Sequence, residues 1–193
     1  MLKRWLGNMG AAHYTKRLLD NYCVLDTETT GLSPYSDEVI EIGILKIRGG
    51  IIVDEYSQLI KPKKRIGTFI TEITGITNRM VQDKPSIKAV EKDVLSFLGD
   101  DVIVGHNTSF DIRFLNAGFK KEICNDYMDT VQFARKVYPE LEHHSLSDLT
   151  IYLGLSNNSH RSIADCIATH ELYEVIKKTM YKKKLKIADL WAK

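Results

Sequence analysis

The chain has no run of about 18 apolar residues, so nothing in it reads as a membrane span. Cysteine is scarce. Cys23, Cys124 and Cys166 make an odd count with no C-x-x-C pair, which argues against a disulfide framework or a zinc site. Each lies among apolar neighbours and reads as a small buried side chain, which suits a reducing, cytoplasmic setting. Met1 to Ala12 carries two basic residues but lacks the 7–15-residue apolar core of a secretory leader. Internal repeats and low-complexity tracts are missing as well. Charge of one sign is also lacking: the formal balance over 193 residues is +2, so overall charge does not select a class of partner.

What is present fits one ordinary globular domain. A hydrophobic content of 44% and a charged content of 27% are enough for a full core, and the length leaves little for a second one. The basic residues crowd both ends, at Lys3, Arg4, Lys16 and Arg17, then at Lys177, Lys178, Lys182, Lys183, Lys184 and Lys186. A basic rim would suit a polyanion held by its backbone; solvated helix faces explain the same runs about as well. The organisation expected is an extension over residues 1–20, with room for a short helix at Thr15 to Leu19, a domain over 21–181 and a basic tail over 182–193.

The chain is organised around Tyr22-Cys23-Val24-Leu25-Asp26-Thr27-Glu28-Thr29-Thr30-Gly31. The apolar start reads as a buried strand. Residues i and i+2 of an extended chain point to the same side, so Asp26 and Glu28 project together where the strand leaves the core. Two adjacent carboxylates repel, and they take up a proton or recruit a cation. Oxygen ligands favour hard ions such as Mg²⁺ or Mn²⁺. Alone, D-x-E is as well explained by a polar turn.

Downstream, residues 38–48 and 51–60 read as two strands joined by the hairpin signal Gly49-Gly50. Thr77 caps a short helix over Asn78 to Val81. Ser86 opens a helix whose apolar residues Ile87, Val90, Val94 and Leu98 fall at helical spacing, closed by Gly99. Val102 to Val104 is a short strand leading into Gly105-His106-Asn107-Thr108-Ser109-Phe110-Asp111. Thr108 or Ser109 is the expected N-cap of a helix ended by Gly118, with Asp111 in its first turn. Helices are expected over Val131 to Val137, over Leu146 to Leu153 behind the capping pair Ser145 and Asp148, and over Ser162 to Met180. His160 precedes the last helix, and Asp165 lies in its first turns.

Asp-Thr-Glu-Thr-Thr-Gly, then Gly-His-Asn-x-x-Phe-Asp, then His-Arg-x-x-x-Asp resembles the DEDD-type 3′→5′ exonucleases with a catalytic histidine. That family includes the proofreading epsilon subunit of bacterial DNA polymerase III. The likeness covers roughly Tyr22 to Met180. It implies an α/β, ribonuclease-H-like fold: a mixed five-stranded sheet flanked by helices, with one more strand near Ile123 to Met128. It implies that Asp26, Glu28, Asp111 and Asp165 hold two Mg²⁺ (or Mn²⁺) ions, and that His160 is the general base. Thr29, Thr30, Gly31 and Leu32 match the seat of the terminal nucleotide. His106, Asn107 and Phe110 match the second motif, where Phe110 either stacks on a base or packs behind Asp111. Thr74 stands where the epsilon subunit has a substrate-facing His. The third motif carries Ser162 where Ala is more usual, a small-for-small change of little expected consequence.

The resemblance implies hydrolysis of single-stranded or frayed DNA to nucleoside 5′-monophosphates, with a DNA polymerase as candidate partner and no membrane. Exonuclease action on short RNA, or a non-catalytic polymerase subunit, are the alternatives.

Overall fold

Alternate residues of β1 (Tyr22–Thr29) serve two different cores, so its first half reads as an unbroken apolar run. Tyr22 and Val24 pack with Leu45, Ile47, Phe133, Leu172 and Tyr173 on one side. Cys23 and Leu25 pack with Ile42, Ile44, Val94, Leu98 and Phe114 on the other. The computed structural model describes residues 18–156, 159–186 and 188. Among these residues, β1, β2 (Val39–Arg48), β3 (Ile51–Leu59), β4 (Ile103–Gly105) and β5 (Tyr127–Asp129) form a five-stranded sheet ordered β3-β2-β1-β4-β5. The β1–β2 and β2–β3 pairs are antiparallel; β1–β4 and β4–β5 are parallel. The mixed sheet expected from the sequence is therefore observed. Gly49 and Gly50 both adopt positive φ, at 60° and 74°, as a two-residue hairpin turn requires.

The described helices are α1 (Thr68–Thr74), α2 (Asn78–Val81), α3 (Ile87–Leu98), α4 (Thr108–Gly118), α5 (Thr130–Val137), α6 (Leu146–Leu153) and α7 (Ser162–Lys182). Helices α3 and α4 cover one face of the sheet; α5, α6 and α7 cover the other. The N-terminus of α7 presses onto β2 at Gly43, where an added Cβ would lie 2.6 Å from the carbonyl carbon of Ser162. The Cys166 thiol donates to the Gly43 carbonyl at 3.3 Å, a contact open to a small side chain. This close seating brings the start of α7 over the end of β1.

Several details depart from the sequence expectations. Helix α1 carries no visible start signal: its N-cap is Gly67, without a side-chain cap, and one of its residues, Thr74, is buried. Helix α4 is not capped by Thr108 or Ser109. The Thr108 hydroxyl instead donates to the Met128 carbonyl at 2.7 Å, tying α4 to β5, and Asn107 takes the N-cap position at φ 73°. Gly118 lies inside α4, where a Cβ would meet Ile87 at 2.6 Å. Its small size serves close packing against α3, and the helix ends at Phe119. Cys23 and Cys166 are buried as expected, but Cys124 is exposed, because it lies in the irregular segment before β5. Lys177 does not belong to an open basic face: its ammonium pairs with Asp20 and Glu174, both at 2.7 Å.

Leu18 and Leu19 pack against the core on the α7 side, and the Leu19 amide donates to the Tyr173 hydroxyl. The expected helix over Thr15 to Leu19 lies largely outside the described residues. So do residues 1–17 of the extension, residues 157 and 158, and most of the tail beyond Lys186. None of the described helices is long and apolar enough to cross a membrane.

Candidate active site

β1 runs past the core and ends in the D-x-E pair, with a register shift between Glu28 and Thr29. Such irregularities bend a strand and re-aim its last side chains. Strand alternation sends Asp26 and Glu28 to the α7 side, with Tyr22 and Val24. Thr27 goes to the α4 side, where its hydroxyl and its amide both donate to Asp111 Oδ1, at 2.7 and 2.9 Å. Thr27 escapes notice in the sequence because its role depends on α4.

Around this strand end the structure gathers the acids. Ligand atoms of Glu28, His160 and Asp165 all lie within 4.8 Å of one another. Burial and the neighbouring charges of Asp111, Asp165, Glu28 and Glu41 push the Asp26 carboxyl well above its usual range. Burial, followed by the charges of Asp165, Glu41 and Asp111, raises Glu28 to about 8, while Arg161 draws it down. Burial raises Asp111 to about 7, against the lowering effect of the Thr27 hydrogen bonds. Asp165 is also raised, chiefly by burial, although it accepts a hydrogen bond from the Ser159 amide at 3.0 Å. A set of recessed carboxylates that resist ionising beside one another is what a hard divalent cation stabilises. Of the five side chains expected to act together, Glu28, His160 and Asp165 converge at this end of the sheet, and Asp26 feels the charges of Asp111, Asp165 and Glu28.

His160 is exposed and adopts φ 51°, a left-handed conformation that costs a non-glycine residue energy. It is held on both sides. Ser159 is tied to Asp165, and Arg161 forks onto Glu41, with Nη2 to Oε1 at 2.6 Å and Nε to Oε2 at 3.1 Å. Glu41 on β2 stands directly opposite Glu28 and is 2% exposed. The sequence shows Glu41 as one more residue of an alternating strand and offers no other signal of this position.

The residues expected to contact substrate divide into two groups. Leu32 is 85% exposed at the tip of the loop after β1. That loop is stitched by Thr29 Oγ1 donating to the Gly31 carbonyl and by the Glu38 amide donating to Thr30 Oγ1. Gly31 has no room for a Cβ beside Asp37. Asn107 is exposed, and its amide donates to Asp129.

The others turn inward. Phe110 is half-buried and packs on Phe114, ring centroids 4.7 Å apart. The Thr74 hydroxyl donates to the Ile70 carbonyl and accepts from the Ile76 amide. Both ring nitrogens of His106 are engaged, with Thr130 Oγ1 and the His144 carbonyl, each at 2.9 Å. Burial lowers the His106 pKa to about 4 and keeps it neutral. As arranged, Thr74 and His106 hold the fold around the site through these internal bonds.

Ser162 is fully buried, and its hydroxyl finds no hydrogen-bond partner among the described residues. A buried unpaired hydroxyl is costly, so Ser in place of Ala at this position is expected to bear on stability.

Residues 23–173 match the family described as Exonuclease (RNase_T). A PolC-type DNA polymerase III of Thermotoga maritima is 45% identical over 157 residues, which cover 79% of this chain and 11% of that protein. The chain thus matches a small part of that relative's length. Among solved structures, Exonuclease X in complex with 5′ overhanging duplex DNA superposes with a TM-score of 0.68 at 29% identity, over 88% of this chain and 96% of the other. Exonuclease I of E. coli in complex with a dA16 oligonucleotide shares the fold, with a TM-score of 0.69 at 20% identity, over 85% of this chain and 42% of the other.

Proposed function

The chain belongs to the Exonuclease family, and from that premise we propose that it is a metal-dependent 3′→5′ exonuclease acting on single-stranded or frayed DNA, releasing nucleoside 5′-monophosphates. The observation that carries the proposal is the convergence of Glu28, His160 and Asp165 within 4.8 Å, beside Asp26 and Asp111, whose carboxyls are raised by burial.

Asp26, Glu28, Asp111 and Asp165 would hold two Mg²⁺ or Mn²⁺ ions. The fit rests on their all-oxygen donor set and on the mutual repulsion that keeps their pKa values high. When bound, such a pair supplies a clamp for both the attacking and the leaving oxygen of an in-line phosphoryl displacement and lowers the pKa of the attacking water. His160, exposed at the mouth of the cluster, takes the proton from that water, a role that an imidazole nitrogen can fill. Thr27 holds Asp111 by two hydrogen bonds, so one Asp111 oxygen is fixed. Leu32, exposed at the tip of the adjoining loop, is suited to wedge against the terminal base.

DNA is favoured over RNA because the similar proteins carry DNA in their names: a DNA polymerase, and two exonucleases in complex with DNA or a deoxyoligonucleotide. The same likeness favours a DNA polymerase as partner and proofreading or repair as the setting. The test is digestion of matched DNA and RNA oligonucleotides, labelled at either end, with Mg²⁺ and with chelator. Loss of 3′-terminal nucleotides from DNA, abolished by chelator and by His160→Ala, is expected. An intact 3′ end in Mg²⁺ refutes the proposal, and faster digestion of RNA overturns its substrate.

A further inference from the structure

Glu41 belongs to none of the sequence motifs, yet at 2% exposure it is more enclosed than Asp111 at 4% or Asp165 at 6%. It stands across the β1–β2 ladder from Glu28. Directly opposed side chains in an antiparallel pair project to the same face, and like charges there repel. A bare carboxylate at this position would work against the site. It is not bare. Arg161 Nε donates to both carboxylate oxygens, at 3.2 and 3.1 Å, and Nη2 donates to Oε1 at 2.6 Å. The Ser162 amide donates to Oε2 at 2.9 Å. Glu41 therefore binds both the residue after His160 and the first amide of α7.

Ser159, on the other side of His160, is anchored to Asp165 Oδ1. His160 is the residue between these two anchors, and it alone of the three has positive φ, at 51°. Left to itself, a histidine leaves this conformation, because a left-handed backbone is strained for a residue with a side chain. Something must hold it: Asp165 accepts from the backbone on its N-terminal side, and the fork onto Glu41 fixes the residue that follows it.

We infer that Glu41 and Arg161 form a clamp that fixes the direction of the His160 side chain, so that both are positioning residues of the hydrolysis; this inference rests on the exonuclease reading. The clamp has a second consequence. Arg161 offsets the charge of Glu41 beside the acids of the site, and its own charge also reaches Glu28. A guanidinium is suited to this because its planar fork matches a carboxylate in two directions, which an ammonium does not.

The experiment compares wild type, Glu41→Gln, Arg161→Lys, His160→Ala and the double variant Glu41→Gln/His160→Ala on a single-stranded oligonucleotide in Mg²⁺. Glu41→Gln and Arg161→Lys are each expected to lower kcat roughly 10–100-fold, as misplacement of a catalytic group by about 1 Å does, with KM changed less than about twofold. In the His160→Ala background, Glu41→Gln is expected to cause no further loss, because the clamp acts through that imidazole. Arg161 is 43% exposed, so its replacement by Lys tests the clamp even if Glu41→Gln fails to fold.

Metal-free protein supplies a readout independent of turnover. The His160 imidazole resonances are expected to shift, and the Ser162 amide to exchange faster, in each clamp variant. Wild-type kcat in folded Arg161→Lys overturns the inference, as does a Glu41→Gln loss that repeats undiminished on top of His160→Ala. If wild type leaves the oligonucleotide intact, it is the exonuclease reading that fails. The clamp is then decided by the metal-free protein alone, where unchanged resonances and exchange overturn it.

Discussion

Asp111 Oδ1 accepts both the amide and the hydroxyl of Thr27, at 2.9 and 2.7 Å. The residue between the two acids of β1 thus aims the acid that opens α4, and the strand end and the helix start become one unit. Thr27→Val keeps the shape and the amide bond but removes the hydroxyl. We expect divalent-ion affinity to fall roughly 10-fold, as is usual when a hydrogen bond behind a ligand is lost. Calorimetric titration with Mn²⁺ checks this, and unchanged affinity would show that the amide alone orients Asp111.

The raised carboxyls set the pH dependence of the metal-free protein. Each holds its proton more tightly when folded than when unfolded, where carboxylates titrate near pH 4. The stability they contribute is complete below that pH and is lost as pH rises through about 7 for Asp111 and about 8 for Glu28. His106, lowered to about 4 by burial, acts in the opposite sense at lower pH, so the window from about pH 6.5 to 8 isolates the acids. Tm in chelator is expected to fall across that window. Mg²⁺ should raise Tm, most at the alkaline end, by relieving repulsion and binding the folded form. A chelated Tm that rises from pH 6.5 to 8 contradicts the arrangement.

His160→Ala should lower kcat on a DNA oligonucleotide about 10²–10⁴-fold while leaving Mg²⁺ affinity within a few-fold. Wild-type kcat in folded His160→Ala would count against a general base at this position.

The contact between α7 and β2 supplies a pair of opposite stability changes. Ser162→Ala removes a buried hydroxyl without a partner among the described residues and is expected to stabilise the protein by about 1 kcal/mol. Gly43→Ala places a Cβ 2.6 Å from the Ser162 carbonyl carbon and should destabilise it by about 1–3 kcal/mol. Urea unfolding of both variants measures the two effects. A destabilised Ser162→Ala would show that the hydroxyl is satisfied in solution.

His106 separates a structural role from a substrate contact. Both ring nitrogens are bonded inside the protein, so His106→Ala should lower Tm while leaving KM for a DNA oligonucleotide within about twofold. A raised KM with unchanged Tm would return His106 to the substrate.

The elements that carry their own local signals were legible from residues alone. Thr77 accepts from the Met80 amide as the N-cap of α2, Ser145 caps α6 through the Asp148 amide, and Gly49-Gly50 turns the hairpin. Helix α1 has no such signal: a glycine without a side-chain cap precedes it, and its one buried residue is Thr74. At α4 the local rule gave the wrong cap, because the Thr108 hydroxyl is drawn to β5 instead.

Within the site, the period of two along an extended strand is enough to set Asp26 and Glu28 on one side, and helix starts are enough to place Asp111 and Asp165 in first turns. Those are short-range consequences of backbone geometry, and they are written in the order of residues. The supports of the site are not. Thr27 and Asp111 are 84 positions apart, and Arg161 and Glu41 are 120 apart. No period, cap or turn links residues so distant. Their pairing follows from the packing of α4 and α7 on opposite faces of the same sheet, which brings the Thr27 hydroxyl to the buried Asp111 and the half-exposed Arg161 to the buried Glu41.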